Sequence, residues 1–302
     1  MVKGTTMRAT ITCGISSSGK TTWANEQDDT FIVCRDDVRV QMLKDRGVDV
    51  EHENIWSHWK FKREDENNVT ETCRTMIVQY AVQCKNIIVA DTNLNYDRRM
   101  QLKQFLIDRG YEVEVKLFDV DVMDAIKRDE RRKGTVGNQV IYSQWMQLIS
   151  DPEFGTKKYV PDTSKPKAVI FDVDGTLAIM GDRRKPYEWD KVHLDTCNIW
   201  VRDMANRYAD DHTVIVLSGR DGSCYNKTFE WLKDNRVKFD KLFMRESGDM
   251  RKDAIIKGEI FWRAVADNYN VIFAVDDRPQ MARYWYSIGV NVFAVGPQFK
   301  EF

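Results

Sequence analysis

One octapeptide constrains this chain more than any other stretch: Gly14-Ile-Ser-Ser-Ser18-Gly19-Lys20-Thr21, preceded by a β-rich run at residues 7–13 and followed by a segment of helical period. A strand, a glycine-bounded loop and a helix in that order make a phosphate cradle. The glycines let the backbone bend until successive N–H groups face one anion, and the helix start adds favourable potential. Gly14, Ser18, Gly19 and Thr22 are expected around that anion. Lys20 is expected on the β and γ oxygens of a nucleoside triphosphate, and Thr21 on Mg²⁺. The plainer reading, a Ser/Gly turn that happens to hold a lysine, leaves the flanking strand and helix unexplained.

The next β-branched runs end in polar residues. Residues 31–34 stop at Arg35-Asp36-Asp37-Val38-Arg39, and residues 87–90 stop at Asp91-Thr92-Asn93-Leu94-Asn95. In open α/β sheets the carboxyl edge is where ligands bind. Asp36 there suits proton abstraction from an attacking hydroxyl, and a neighbouring arginine suits an anionic acceptor; the alternative for Asp36 is a helix cap. Asp91 either supports Mg²⁺ or the substrate, or caps the helix that starts near residue 97. Residues 128–134, Arg-Asp-Glu-Arg-Arg-Lys-Gly, form a dense basic run after the last strand of this half. Its position suits a lid that brings Arg132, or secondarily Arg128, to the charge that develops on a transferred phosphoryl group.

From residue 167 the same alternation starts again. Phe171-Asp172-Val-Asp174-Gly175-Thr176 closes a hydrophobic run with two carboxylates two residues apart. Such a pair can bind Mg²⁺ and divide labour, Asp172 attacking phosphorus and Asp174 protonating the leaving oxygen. Later runs end in Ser218-Gly219-Arg220, donors for phosphate, and in Asp276-Asp277-Arg278, a second acidic pair for the metal; Lys257 between them is the expected neutralising lysine. Four elements in this order exceed what a chance D-x-D-G-T or a calcium loop would supply.

The fold class expected is therefore α/β, with two doubly wound parallel-sheet domains. They are expected at residues 1–152 and 167–302, joined by a linker at 153–166, within a proline-rich stretch of low apolar periodicity. A length of 302 residues suits two domains. Lys plus Arg is 46 against 47 Asp plus Glu, so bulk positive charge does not hold nucleic acid and any phosphate site must be built locally. Six cysteines without a C-x-x-C pair, no apolar leader and no membrane-length apolar run point to a reduced, cytoplasmic setting and no membrane partner.

At these residues the chain resembles known families. Its second half resembles the Mg²⁺-dependent phosphatases of the haloacid dehalogenase superfamily, and its first half resembles P-loop kinases of the polynucleotide kinase type. In this order they resemble the phage-type bifunctional polynucleotide 5′-kinase/3′-phosphatases, through Gly19-Lys20-Thr21-Thr22-Trp23-Ala24, Arg35-Asp36-Asp37, Asp91-Thr92-Asn93-Leu94-Asn95 with Arg98-Arg99, the run from Lys165 through Asp172 to Ala178, and Arg251-Lys252-Asp253. The resemblance implies ATP as phosphate donor, Mg²⁺, Asp36 as general base, Arg39 on the acceptor phosphate and Arg132 on the transition state. For the phosphatase it implies Asp172, Asp174, Arg184, Ser218, Arg220, Asp253, Lys257, Asp276 and Asp277, with Arg183 an alternative to Arg184. It further implies 5′-hydroxyl and 3′-phosphate ends of RNA or DNA as partners, an RNA or DNA ligase acting on the product, and a cytoplasmic location, the host's if the chain is phage-encoded; a homo-oligomer is left open.

Two rivals and one side signal complete the reading. A small-molecule kinase fused to a metabolite phosphatase shares every motif, because fold does not fix substrate. An ATP-gated adaptor leaves two catalytic sets without a use. The cluster of His52, Glu53, Trp56, His58, Trp59 and Phe61 is expected as the packed face of an amphipathic helix, with stacking of single-stranded bases the alternative.

Overall fold

The computed structural model describes residues 6–132 and 134–296, the side chain of Glu53 excepted. Contacts divide the chain into two units, Met1–Thr156 and Lys157–Phe302.

The first unit runs β1 (Met7–Cys13), α1 (Lys20–Asn25), β2 (Thr30–Val33), α2 (Arg35–Asp45), α3 (Ile55–His58), α4 (Arg63–Val82), β3 (Asn86–Val89), α5 (Tyr96–Ile107), β4 (Tyr111–Leu117), α6 (Val122–Glu130) and α7 (Asn138–Leu148). Its strands form a parallel sheet in the order β2-β3-β1-β4. Alternation along β3 shows how both faces are covered. Ile87 and Val89 join a core with Leu43, Val69 and Ile77 of α2 and α4, whereas Ile88 packs on the other face with Ala24 of α1. Period-two side chains buried on both faces are what a parallel sheet under crossover helices needs.

The second unit runs β5 (Lys167–Phe171), β6 (Ala178–Ile179), β7 (Thr196–Cys197), α8 (Ile199–Tyr208), β8 (Thr213–Asp221), α9 (Tyr225–Asp234), β9 (Lys241–Arg245), α10 (Asp253–Ile260), β10 (Asn270–Asp276), α11 (Pro279–Ile288) and β11 (Val292–Ala294). The parallel order is β11-β10-β5-β8-β9. Ala168 and Ile170 of the central strand face Phe261, Met281 and Trp285, and Val169 and Phe171 face Val201, Ala205 and Trp231. Each fully buried aliphatic or aromatic side chain of this kind contributes roughly 1.5–3 kcal/mol. The antiparallel ribbon of β6 and β7 has no counterpart in the expectations, because two-residue strands leave no periodic signal.

The segment expected as a linker is anchored at both ends. Phe154 packs with the core beside α6 and α7, and buried Tyr159 donates its hydroxyl to Tyr269 O at 2.8 Å and packs edge-on against Phe261. All six cysteines are free thiols. Among the described residues no helix is long and apolar enough to cross a membrane.

Candidate active sites

In the first unit the loop after β1 takes the expected course. Gly19 caps α1 at φ 98°, a left-handed conformation that favours glycine, and a Cβ on Gly14 would press against Phe118 O at 2.8 Å. Lys20 is buried, donating to Ile15 O at 2.5 Å and to Ser18 Oγ at 3.2 Å. Burial, reinforced by nearby Arg132, pulls its ammonium down to about 8. Thr21 and Thr22 lie exposed on the first turn of α1.

The basic run reaches this loop. Arg132 Nη1 lies 3.3 Å from Ser17 Oγ and Arg128 Nη1 lies 3.5 Å from Ser17 O; Lys133 is outside the described residues. Asp129 between them is buried and accepts from Val136 N, Gly137 N and Ser17 Oγ, so it ties the arginine-bearing turn to the phosphate loop. Sequence reading passed over Asp129 because its partners are backbone groups seven and eight residues on.

At the ends of β2 and β3, Asp36 pairs with Arg39 at 2.6 Å. Asp91 accepts from Arg35 N at 3.1 Å, so it caps α2; the cap of α5 is Asn95, whose side chain accepts from Arg98 N. Burial raises the Asp91 carboxyl to about 6. Glu66 of α4, missed from sequence, holds both arginines: Arg39 at 2.8 Å, Arg35 at 2.8 Å, with Trp59 Nε1 donating at 2.8 Å. Burial pushes its carboxyl up, but the hydrogen bonds from Arg39, Arg35 and Trp59 together outweigh it and hold it at about 2. The signal for Glu66 was chemical, since the buried guanidinium of Arg39 and the half-buried one of Arg35 need a counter-charge.

In the second unit the strand ends converge. Asp172, at the end of β5, is buried and meets Lys257 Nζ at 2.8 Å; the same ammonium contacts Asp276 at 3.0 Å and Asp253 at 3.3 Å. Lys257 is fully buried, yet these three carboxylates raise its pKa well above the ordinary value. Burial, with Asp276, Asp277 and Asp253 close by, raises Asp172 against the pull of Lys257, and burial beside Asp276 raises Asp277 to about 6. Asp172, Asp276 and Asp277 each present a ligand oxygen, all within 4.8 Å of one another. Three hard carboxylate oxygens this close together fit Mg²⁺.

Asp174 faces arginine. Arg220 grips it in a two-point contact at 2.9 and 2.8 Å, and Arg184 Nη2 reaches it at 2.8 Å. Burial disfavours the charged form of Asp174, but Arg220 and Arg184 outweigh it and keep its pKa low. Arg183 turns away to Ile179 O and Thr196. Behind the two arginines stands Asp195, fully buried, accepting from Arg184 at 2.8 and 2.7 Å and from Arg220 at 2.5 Å. No motif announces Asp195; its signal was the unmatched charge of two arginines. Ser218 is buried and its Oγ accepts from Arg220 N at 3.2 Å. Glycines are required at two close approaches, since a Cβ on Gly175 would collide with the Asp277 carboxylate and one on Gly219 with that of Asp253.

Residues 166–298 match the family model for the polynucleotide kinase PNKP phosphatase domain, and residues 10–153 match an AAA domain model. A protein of Autographa californica nuclear polyhedrosis virus, named as a bifunctional polynucleotide kinase/RNA ligase, is 31% identical over 97% of this chain. Most of the second unit thus resembles the phosphatase domain of polynucleotide kinases, and most of the first resembles an AAA domain. The chain spans 43% of the viral relative's length. Two solved structures of a Pnkp1/Rnl/Hen1 complex, one titled as an RNA repair complex, are similar at 26% identity over 99% of this chain and all of theirs, with a TM-score of 0.46.

Proposed function

We propose that the chain heals nucleic-acid ends: the first domain transfers the γ-phosphoryl group of ATP to a polynucleotide 5′-hydroxyl, and the second removes 3′-phosphates. The observation that carries this is the presence of two separate phosphoryl-transfer charge sets, each at the carboxyl edge of its own sheet, in a chain whose second half matches the phosphatase domain of polynucleotide kinases. The product ends, 5′-phosphate and 3′-hydroxyl, are those that an RNA or DNA ligase joins.

In the kinase domain the loop amides, Ser18, Lys20 and Thr22 hold the donor's phosphates. Lys20, buried against Ile15 O, exchanges that carbonyl for phosphate oxygen. Asp36 takes the acceptor's proton while Arg39 orients it, and Arg132, within reach of the loop, offsets charge on the transferring group. In the phosphatase domain Asp172 attacks phosphorus and becomes an aspartyl phosphate, and Lys257 offsets the negative charge around it. Arg184 and Arg220 keep Asp174 ionised in the free protein. A phosphate dianion competes for those guanidinium groups, so Asp174 takes up a proton from solvent and gives it to the leaving oxygen; the resulting carboxylate then takes a proton from the water that attacks the aspartyl phosphate, which releases phosphate and restores Asp172. Mg²⁺, held by Thr21 in one site and by Asp172, Asp276 and Asp277 in the other, neutralises phosphate charge when bound.

The test is labelled-phosphate transfer to a 5′-hydroxyl oligonucleotide against a panel of nucleosides and sugars, with phosphate release from a 3′-phosphate oligonucleotide in parallel. Asp172→Asn should abolish release, by at least about 10³-fold, and spare transfer; Lys20→Ala should do the reverse. Transfer to the small molecules alone would overturn the reading, as would loss of both activities from either change in a folded protein.

A further inference from the structure

Beside Asp36 and Arg39 lies a groove of about 1050 Å³ between α4 and α5, floored by the ends of β2 and β3. That is at or above the top of the range that small-molecule sites occupy, roughly 300–1,000 Å³. Three of its lining residues are not used by the mechanism above. Arg63 on the first turn of α4 and Arg98 on α5 are exposed, and among the described residues neither guanidinium has an acidic partner. Phe61 at the rim is 71% exposed. Its ring lies parallel to that of Trp56, 5.8 Å apart with 10° between planes, and the Arg39 guanidinium sits 5.9 Å from it. The neighbouring Trp59 is buried, so this cluster splits into one packed ring and one bare platform.

A rigid exposed ring, flanked by unpaired arginines and continuous with the acceptor arginine, fits one ligand chemistry. Aromatic faces stack bases of any sequence, while arginines track the phosphates between them. Resting on the kinase reading, we infer that Phe61, braced by Trp56, stacks an unpaired base of the acceptor strand near its 5′ end, and that Arg63 and Arg98 take the following phosphates. A base inside a duplex is covered on both faces by its neighbours, so this platform takes an acceptor whose 5′ end is unpaired over two or more nucleotides.

The experiment compares the full chain with its Phe61→Ala, Phe61→Leu and Phe61→Trp variants. The acceptors are a single-stranded 5′-hydroxyl octamer, a blunt duplex of the same sequence, and the shortest 5′-hydroxyl acceptor that the unaltered protein phosphorylates. For Phe61→Ala and Phe61→Leu the octamer KM should rise about tenfold with kcat and the KM for ATP held. The ratio of kcat/KM for the octamer to that for the shortest acceptor should fall by the same factor, and Phe61→Trp should restore it. Phe61→Leu behaving like the unaltered protein would overturn the stacking role, and so would equal losses on octamer and shortest acceptor or a loss confined to duplex. An unaltered protein that phosphorylates no polynucleotide would instead overturn the kinase reading, and this inference with it. A double Arg63→Ala/Arg98→Ala variant should bind the octamer with a shallower salt dependence; an unchanged slope would remove the arginines from the proposal.

Discussion

The two sites are assembled by opposite means. In the phosphatase domain Lys257, Asp172, Asp276, Arg184, Arg220 and Asp195 are all buried, and their charges face one another across 2.5 to 3.0 Å. Among the residues assigned to phosphoryl transfer in the kinase domain, Lys20 and Arg39 are comparably buried, but Asp36 is half-exposed, Thr21 is exposed, and Arg132 reaches the loop through a contact of 3.3 Å. A preassembled site avoids reorganisation during reaction, yet each charge taken out of water costs several kcal/mol and is retained only while its partners remain. An open site carries less of that cost and waits for its ligand to order it. Single substitutions should therefore damage fold and activity together in the second domain, and mainly binding in the first.

Lys257→Met breaks this contrast most severely. It leaves Asp172, Asp253 and Asp276 buried without their common counter-charge. Phosphatase activity should fall by at least about 10³-fold, with a stability loss of about 3–5 kcal/mol in that domain by denaturant titration. A variant as stable as the unaltered protein would show that the carboxylates simply take up protons. Kinase activity, measured on the same preparation, should persist.

Asp195→Asn probes the same domain one step back from the reacting atoms. The amide keeps the volume but loses the charge and half the acceptors that aim Arg184 and Arg220. Misaimed arginines should lower phosphatase kcat/KM by about 10²-fold. A merely structural role would lower the melting temperature and leave the KM of surviving protein unchanged; a positioning role raises KM for the 3′-phosphate substrate.

The contrast also explains what could be read in advance. Strand ends were legible because β-branched runs such as residues 168–171 and 213–217 stop abruptly at chemistry-bearing residues, and the parallel sheets place those ends at one edge. Motif spacing and the flanking strands and helices pointed to Lys20, Asp172 and Lys257 as candidates. Asp129, Glu66 and Asp195 were not. Each is a single acid in a helix or loop, paired to groups distant in sequence or to backbone, so only the fold brings the partners together. The alternatives left open for Asp91 and for the aromatic cluster turned on the same point. Asp91 caps the helix after β2 instead of the one that follows it in sequence, and Trp59 and Phe61, two residues apart, differ between burial and exposure.

Glu66→Gln tests the open site and carries the smallest expected effect. In the folded protein Glu66 titrates at about 2 against an ordinary 4.5, so its ionised form favours folding. That contribution is complete above about pH 4.5 and disappears as the pH falls toward 2. Melting temperature of the kinase transition against pH should therefore drop less steeply across this window in Glu66→Gln than in the unaltered protein. Because Glu66 also fixes Arg39, the variant should raise the acceptor KM by a few-fold and leave phosphatase activity as it was. A parallel pair of pH profiles would mean that the arginines find other partners when Glu66 is neutral, and that the kinase site is looser than its hydrogen bonds imply.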